Sequence, residues 1–167
     1  MRGHPDRIEP GPGQESVWDY PRPPRLERSE LPAEVWFAGE RVAASSRASR
    51  ILETSHPPTW YIPLADIASG VLQPSPKVQS FCEFKGVASY WDLNVDGTIS
   101  RQAGWSYLAP TAAYAALLDH ICFYPSRVDR CVVAGETVQA QEGDFYGGWI
   151  TSNVVGPFKG AAGTGYW

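Results

Sequence analysis

The sequence predicts a mainly β domain of compact antiparallel sheets with one or two short helices. Six or more short runs carry strand-type residues, among them Val35-Trp36-Phe37, Val78–Cys82 and Val87–Leu93. Turn chemistry separates them, most clearly at Gly39 and at Asn94-Val95-Asp96-Gly97, where Asn, Asp and Gly tolerate positive φ. Helical character is confined to two brief stretches, Leu64–Leu72 and Pro110–Leu118. Short strands joined by tight turns build antiparallel sheets rather than parallel ones.

Taken in order, residues 1–32 hold seven of the 15 prolines. Proline fixes φ and removes a backbone donor, so this arm is expected to be neither a regular helix nor a central strand. Met1–Gln14 is expected to be disordered, while Trp18 and Tyr20 could dock on the single β domain expected over 33–167. Val35–Phe37 and Arg41–Ala43 read as a hairpin around Ala38-Gly39-Glu40, and Ala134-Gly135-Glu136 later in the chain calls for the same turn. Ala48–Glu53 suits either a helical turn or a strand. Leu64–Leu72 reads as a short helix after Pro63. Lys77–Tyr107 is the clearest β region. Pro110–Leu118 is the best helix, with Thr111 able to cap it and alanines carrying propensity. His120–Tyr124 ends at Pro125 and reads as a strand.

Composition narrows the function classes. With 167 residues the chain is one domain by size, able to bury about two-thirds of its unfolded surface. A net charge of −4 and a pI near 5.3 argue against nucleic-acid binding, which favours a basic face. No run approaches the roughly 18 apolar residues of a membrane span, and the first residues lack a signal-peptide core. Three cysteines at unrelated spacings make no disulfide framework, so a cytoplasmic location is expected. Oligomeric state is left open.

Chemistry gathers in three blocks: Glu53–Pro63, Phe81–Trp91 and Gly143–Trp149. In the first, Glu53 and His56 flank Thr54-Ser55 ahead of a double proline. They could form an acid/base pair, orient a substrate, or satisfy backbone groups beside the prolines. In the second, Cys82 and Lys85 lie three apart, and on a straight strand they would face opposite ways; they meet only if the chain turns at Phe84–Gly86. A thiol beside an ammonium could then serve as nucleophile, while the plain alternative is a buried Cys82 with Lys85 paired to Glu83. Rings in or beside the blocks, Tyr61, Trp105, Tyr107, Tyr124 and Trp149, could wall a small-ligand pocket or simply fill a β core. Asp144 opens the third block, where Gly147-Gly148 should let the backbone pass close to a neighbour. No metal or cofactor is expected: Cys-x-x-Cys knuckles are absent, and Cys82, Cys122, Cys131 and His56 would meet only through long-range folding.

The signatures Leu52–Thr59, Cys82–Gly86, Trp105–Tyr107, Phe123–Pro125 and Gly143–Trp149 resemble, in the same order, those of the bacterial family catalogued as domain of unknown function 427. The resemblance implies a tent-like β fold, related in shape to methionine sulfoxide reductase B. A nucleotidyltransferase label attached to the family finds no Mg²⁺-binding carboxylate cluster or phosphate loop here, since Asp92 and Asp96 flank a turn. The chain also departs from the family at Glu83, where members commonly carry Pro, leaving that turn less rigid. Together these readings favour a domain that binds a small molecule in an aromatic pocket, with Trp105, Tyr107 and Trp149 as walls and Lys85 and Glu53 as polar anchors. The rival is an enzyme using Cys82 as nucleophile or redox thiol, with Lys85 or His56 assisting. The sequence leaves undecided whether the protein is an enzyme.

Overall fold

A computed structural model describes residues 4–167. Its strands run β1 (Glu15–Ser16), β2 (Arg25–Arg28), β3 (Ala33–Phe37), β4 (Glu40–Ser45), β5 (Ser49–Leu52), β6 (Thr59–Pro63), β7 (Leu72–Cys82), β8 (Gly86–Val95) and β9 (Thr98–Tyr107). The second half adds β10 (His120–Phe123), β11 (Arg130–Val133), β12 (Glu136–Thr137), β13 (Gln139–Ala140), β14 (Trp149–Ile150) and β15 (Val154–Val155). A seven-stranded antiparallel sheet, ordered β2-β5-β6-β10-β9-β8-β7, dominates, and a four-stranded sheet ordered β12-β11-β3-β4 covers one of its faces. The mainly β, antiparallel architecture expected from the sequence is what the chain adopts.

Strand alternation explains the two layers. Successive side chains on a strand point to opposite faces. Trp60 and Ile62 of β6, Ile121 and Phe123 of β10, and Leu93 and Val95 of β8 all turn toward Val35, Phe37, Val42 and Val133 of the smaller sheet, forming one core. Their neighbours Tyr61, Cys122, Ala88 and Tyr90 take the other face, joined by Trp105 and Tyr107 of β9. The large sheet is thus apolar on both sides, and its second side carries the aromatic residues.

Turn chemistry set the hairpins as read. Ala38 and Gly39 have φ of 52° and 77°, and Ala134 and Gly135 repeat this at 48° and 81°, so both Ala-Gly-Glu sequences make the same two-residue turn within one sheet. At Asn94–Gly97, Gly97 N–H donates to Asn94 Oδ1 at 2.9 Å. Ala48–Glu53 resolves as strand β5.

The helices differ from expectation. After Pro63 there is one 3-10 turn, Leu64–Asp66, and Ile67 is already extended where it bridges Ala43. Pro110–Leu118 forms two merged 3-10 turns over Ala112–Leu117, broken at Tyr114, whose hydroxyl donates to Pro24 O at 2.6 Å. Thr111 does not cap it; its hydroxyl donates to Phe84 O at 2.6 Å. Segments this short gain too few helical bonds to offset nucleation, so tertiary partners decide their path.

The N-terminal segment joins the fold. Met1–Gly3 lie outside the described residues. Residues 4–14, expected to be disordered, meet the C-terminal segment: Ile8 N donates to Gly156 O at 3.0 Å and Gln14 Nε2 to Ser152 O at 3.0 Å. β1 pairs with β15, β2 is an edge strand on β5, and Val17 and Tyr20 are buried with Leu52 and Val154. Among the described residues, no helix is long and apolar enough to cross a membrane.

Candidate functional site

The aromatic face of the large sheet opens into a cavity of about 260 Å³. Tyr61, Trp105, Tyr107 and Tyr124 wall it, and its rim is built from the Glu53–Pro57 loop, the β7–β8 turn and the segments bearing Tyr146 and Lys159. All three chemistry-bearing blocks of the sequence contribute. Trp105 packs edge-on to Tyr61, with centroids 6.0 Å apart, and lies 4.7 Å from Tyr124. The polar atoms of Trp105, Tyr61 and Tyr124, and of the adjacent Tyr90, are used within the protein. Trp105 Nε1 donates to Tyr61 Oη (3.1 Å), Tyr124 Oη donates to Phe145 O (2.9 Å), and Tyr90 Oη shares a hydrogen bond with Ser80 Oγ (2.8 Å). Burial holds the Tyr61, Tyr107 and Tyr124 hydroxyls protonated. What the wall offers is mostly carbon.

Cys82 and Lys85 both line the cavity because the chain does turn between them. Cys82 pairs with Gly86 across the β7–β8 hairpin, and Glu83–Lys85 form the turn. Gly86 has φ of 111° and passes the backbone at Ala109 so closely that a Cβ would meet its carbonyl oxygen at 3.3 Å. Thr111 N donates to Lys85 O, fastening the turn. Lys85 is 7% exposed, with Nζ 5.9 Å from the Tyr107 ring centroid. Among the described residues no carboxylate lies within 4.0 Å of that Nζ, so the alternative of a surface pair with Glu83 is not what the chain adopts. Cys82 is half-buried against the aromatic cluster, whereas Cys122 and Cys131 are fully buried, with thiols pushed up in pKa by burial.

Glu53 and His56 sit on the opposite rim. Arg22 reaches Glu53 at 3.3 Å, and His56 Nε2 lies 3.7 Å from the same carboxylate oxygen. His56 is buried, and its pKa falls to about 3, first because of burial and then because of the nearby cations Lys159, Arg22 and Lys85. Its tautomer follows from Gln141. Gln141 Oε1 accepts from Gly148 N (2.9 Å) and Nε2 donates to Lys159 O (2.7 Å), which fixes the amide's orientation. That Nε2 also faces His56 Nδ1 at 3.4 Å, so Nδ1 carries the lone pair and Nε2 the proton, directed at Glu53.

Two predicted ligand-binding residues lie elsewhere. Trp149 is fully buried on the other face of the large sheet, its centroid 6.1 Å from Trp60 and its Nε1 donating to Phe123 O at 2.9 Å. Burying such a ring stabilises the fold by roughly 4–6 kcal/mol, so the core claims it. Asp144 is exposed and pairs with Arg127 at 2.8 Å, beside a shallower adjoining recess. Phe145 is also exposed. Gly147-Gly148 does make the close approach expected of it: a Cβ on Gly147 would sit 2.7 Å from the Trp105 ring, and one on Gly148 2.8 Å from Pro57.

Gln141 and Lys159 escaped the sequence reading. Neither stands in a recognisable pattern, since both gain their position from pairings across the C-terminal half. Tyr146, whose ring packs edge-on to His56 at 4.7 Å, was visible as an aromatic residue but not as a partner of the imidazole. Among the described residues, no three His, Cys, Asp or Glu side chains converge as a metal-holding group.

The model of one protein family, described as domain of unknown function 427, matches residues 25–134. No curated protein matches the chain.

Proposed function

We propose that this chain, which belongs to the domain of unknown function 427 family, binds a small molecule in the cavity between the β7–β8 turn and the Glu53–Pro57 loop. One observation carries the reading: carbon faces of Tyr61, Trp105 and Tyr107 form the floor of a cavity whose rim bears buried polar groups, Lys85 and His56. A ring cluster that served packing alone would close on itself, and burying a cation and an imidazole beside it carries a cost that a ligand offsets. Of the roles open to His56, orienting a ligand fits better than acid–base chemistry. A pKa of about 3 is far from the near-neutral value that proton transfer favours, whereas a neutral ring with a fixed Nε2–H is a directed donor.

The test is a fragment screen by saturation-transfer NMR. Ring-containing fragments should bind the parent protein. Ala88→Phe, which fills the cavity from β8, should abolish their signals while the protein keeps its fold, and Tyr107→Leu should weaken them. Fragments that bind both variants as well as the parent would overturn the reading.

A further inference from the structure

We infer that the ligand is an anion, carrying a carboxylate or phosphate group on a flat body of one or two rings. This rests on the small-molecule reading of the same cavity. The charges at the rim do not balance. Of the two carboxylates lining it, Glu53 is already engaged by Arg22 at 3.3 Å and faces the His56 N–H, while Glu83 is exposed on the hairpin turn. Lys85 and Lys159 line the same space, and among the described residues neither Nζ has a carboxylate within 4.0 Å.

Both lysines are held in place. Lys85 follows from the turn pinned by Thr111, and Lys159 donates its backbone N–H to Ser55 O (2.8 Å) and accepts from Gln141 Nε2 (2.7 Å). Each ammonium lies near a tyrosine face instead of a counter-charge, Lys85 5.9 Å from Tyr107 and Lys159 5.1 Å from Tyr146. Cation–π contact at such distances is weak compensation for Lys85, a residue only 7% exposed. Lys85 Nζ is not among the buried polar atoms cut off from any partner, so it reaches the open space of the cavity. The same two ammonium groups contribute to the positive field felt by His56. An anionic group between them supplies the missing partner.

The body of the ligand follows from the wall. Trp105, Tyr61, Tyr90 and Tyr124 spend their polar atoms on each other or on Ser80 and Phe145, leaving ring carbon toward the cavity. At about 260 Å³ the space is below the range of drug-sized pockets, which limits the body to one or two rings.

The experiment uses four probes that share a benzene ring: benzoate, phenyl phosphate, benzamide and benzyl alcohol. Each is titrated into the full chain by ¹⁵N–¹H NMR, following the Trp105 indole resonance. Benzoate and phenyl phosphate should bind at least tenfold more tightly than the neutral pair, and which of the two is tighter distinguishes carboxylate from phosphate. Lys85→Met and Lys159→Met should each narrow that gap, and Lys85→Arg should keep it, with melting temperatures verifying that each variant is folded. Equal affinity for all four probes, or a gap unchanged in the Lys85→Met/Lys159→Met double variant, would overturn the anion inference while leaving small-molecule binding intact. If none of the four shifts the Trp105 indole, both readings fall.

Discussion

His56 shows how one side chain is defined by its neighbours rather than by its type. Burial and three cations depress its pKa from 6.5 to about 3, so the folded chain keeps it neutral where the unfolded chain would protonate it. Between those values the unfolded state binds the extra proton, and stability is therefore lost as pH falls from about 6.5 toward 3. The slope is at most about 1.4 kcal/mol per pH unit from this residue. Urea titrations at steps from pH 7 to pH 4 should show His56→Gln declining less steeply than the parent. Glu15, Asp66 and Asp92, whose pKa values are lowered by their hydrogen-bond and ion-pair partners, act in both proteins and cancel in the comparison. Parallel pH profiles would refute the buried, neutral imidazole.

At the scale of elements, the informative unit is the 143–149 segment that crosses the cavity's edge. Gly147 has φ of 69°, and a side chain there would need both a left-handed backbone and space that the rings of Trp105 and Tyr124 already occupy. Gly147→Ala should cost roughly 2–4 kcal/mol, summing backbone strain and overpacking. It should also disturb the indole of Trp105, readable by fluorescence, since that ring is the one displaced. A variant with the parent's melting temperature and emission spectrum would mean that the segment yields freely. The hairpins are the contrasting case, because a Cβ added at Gly39 or Gly135 would meet nothing within 4 Å.

Across the whole molecule, the N-terminal residues act as part of the core. Arg50, its side chain 10% exposed, is held between Glu15 at 2.7 Å and Glu27 at 2.6 Å, so two N-terminal carboxylates neutralise one buried cation. Val17 and Tyr20 fill the space over Leu52 and Val154, and the Trp18 ring packs tilted against His4 and edge-on to Trp167. Removing residues 1–29 would uncover Leu52 and Val154, at about 1.5–3 kcal/mol each, and strand Arg50 at about 3–5 kcal/mol. The sum rivals the entire stability of an ordinary domain. The truncated chain should bind the dye ANS and lose its near-UV circular dichroism. A truncation that melts like the full chain would show that the N-terminal segment is dispensable.

Strand positions and hairpins were legible because they follow local rules: period-two alternation at Ile121–Phe123 and positive-φ residues at Gly39, Gly97 and Gly135 act within a few residues of themselves. The same local logic brought Glu53, His56, Cys82, Lys85 and most of the rings to attention as reactive groups beside turns. It could not say which face of the sheet a tryptophan would take, and Trp149 went to the core because Trp60 and the Phe123 carbonyl were waiting there. Nor could it find Gln141 and Lys159, whose roles arise from hydrogen bonds made across the C-terminal half. The sequence by itself determined the class of fold and the inventory of chemistry. Only the tertiary structure decided which groups share a cavity and which cations stay without a counter-charge, because burial and pairing depend on residues far apart in the chain.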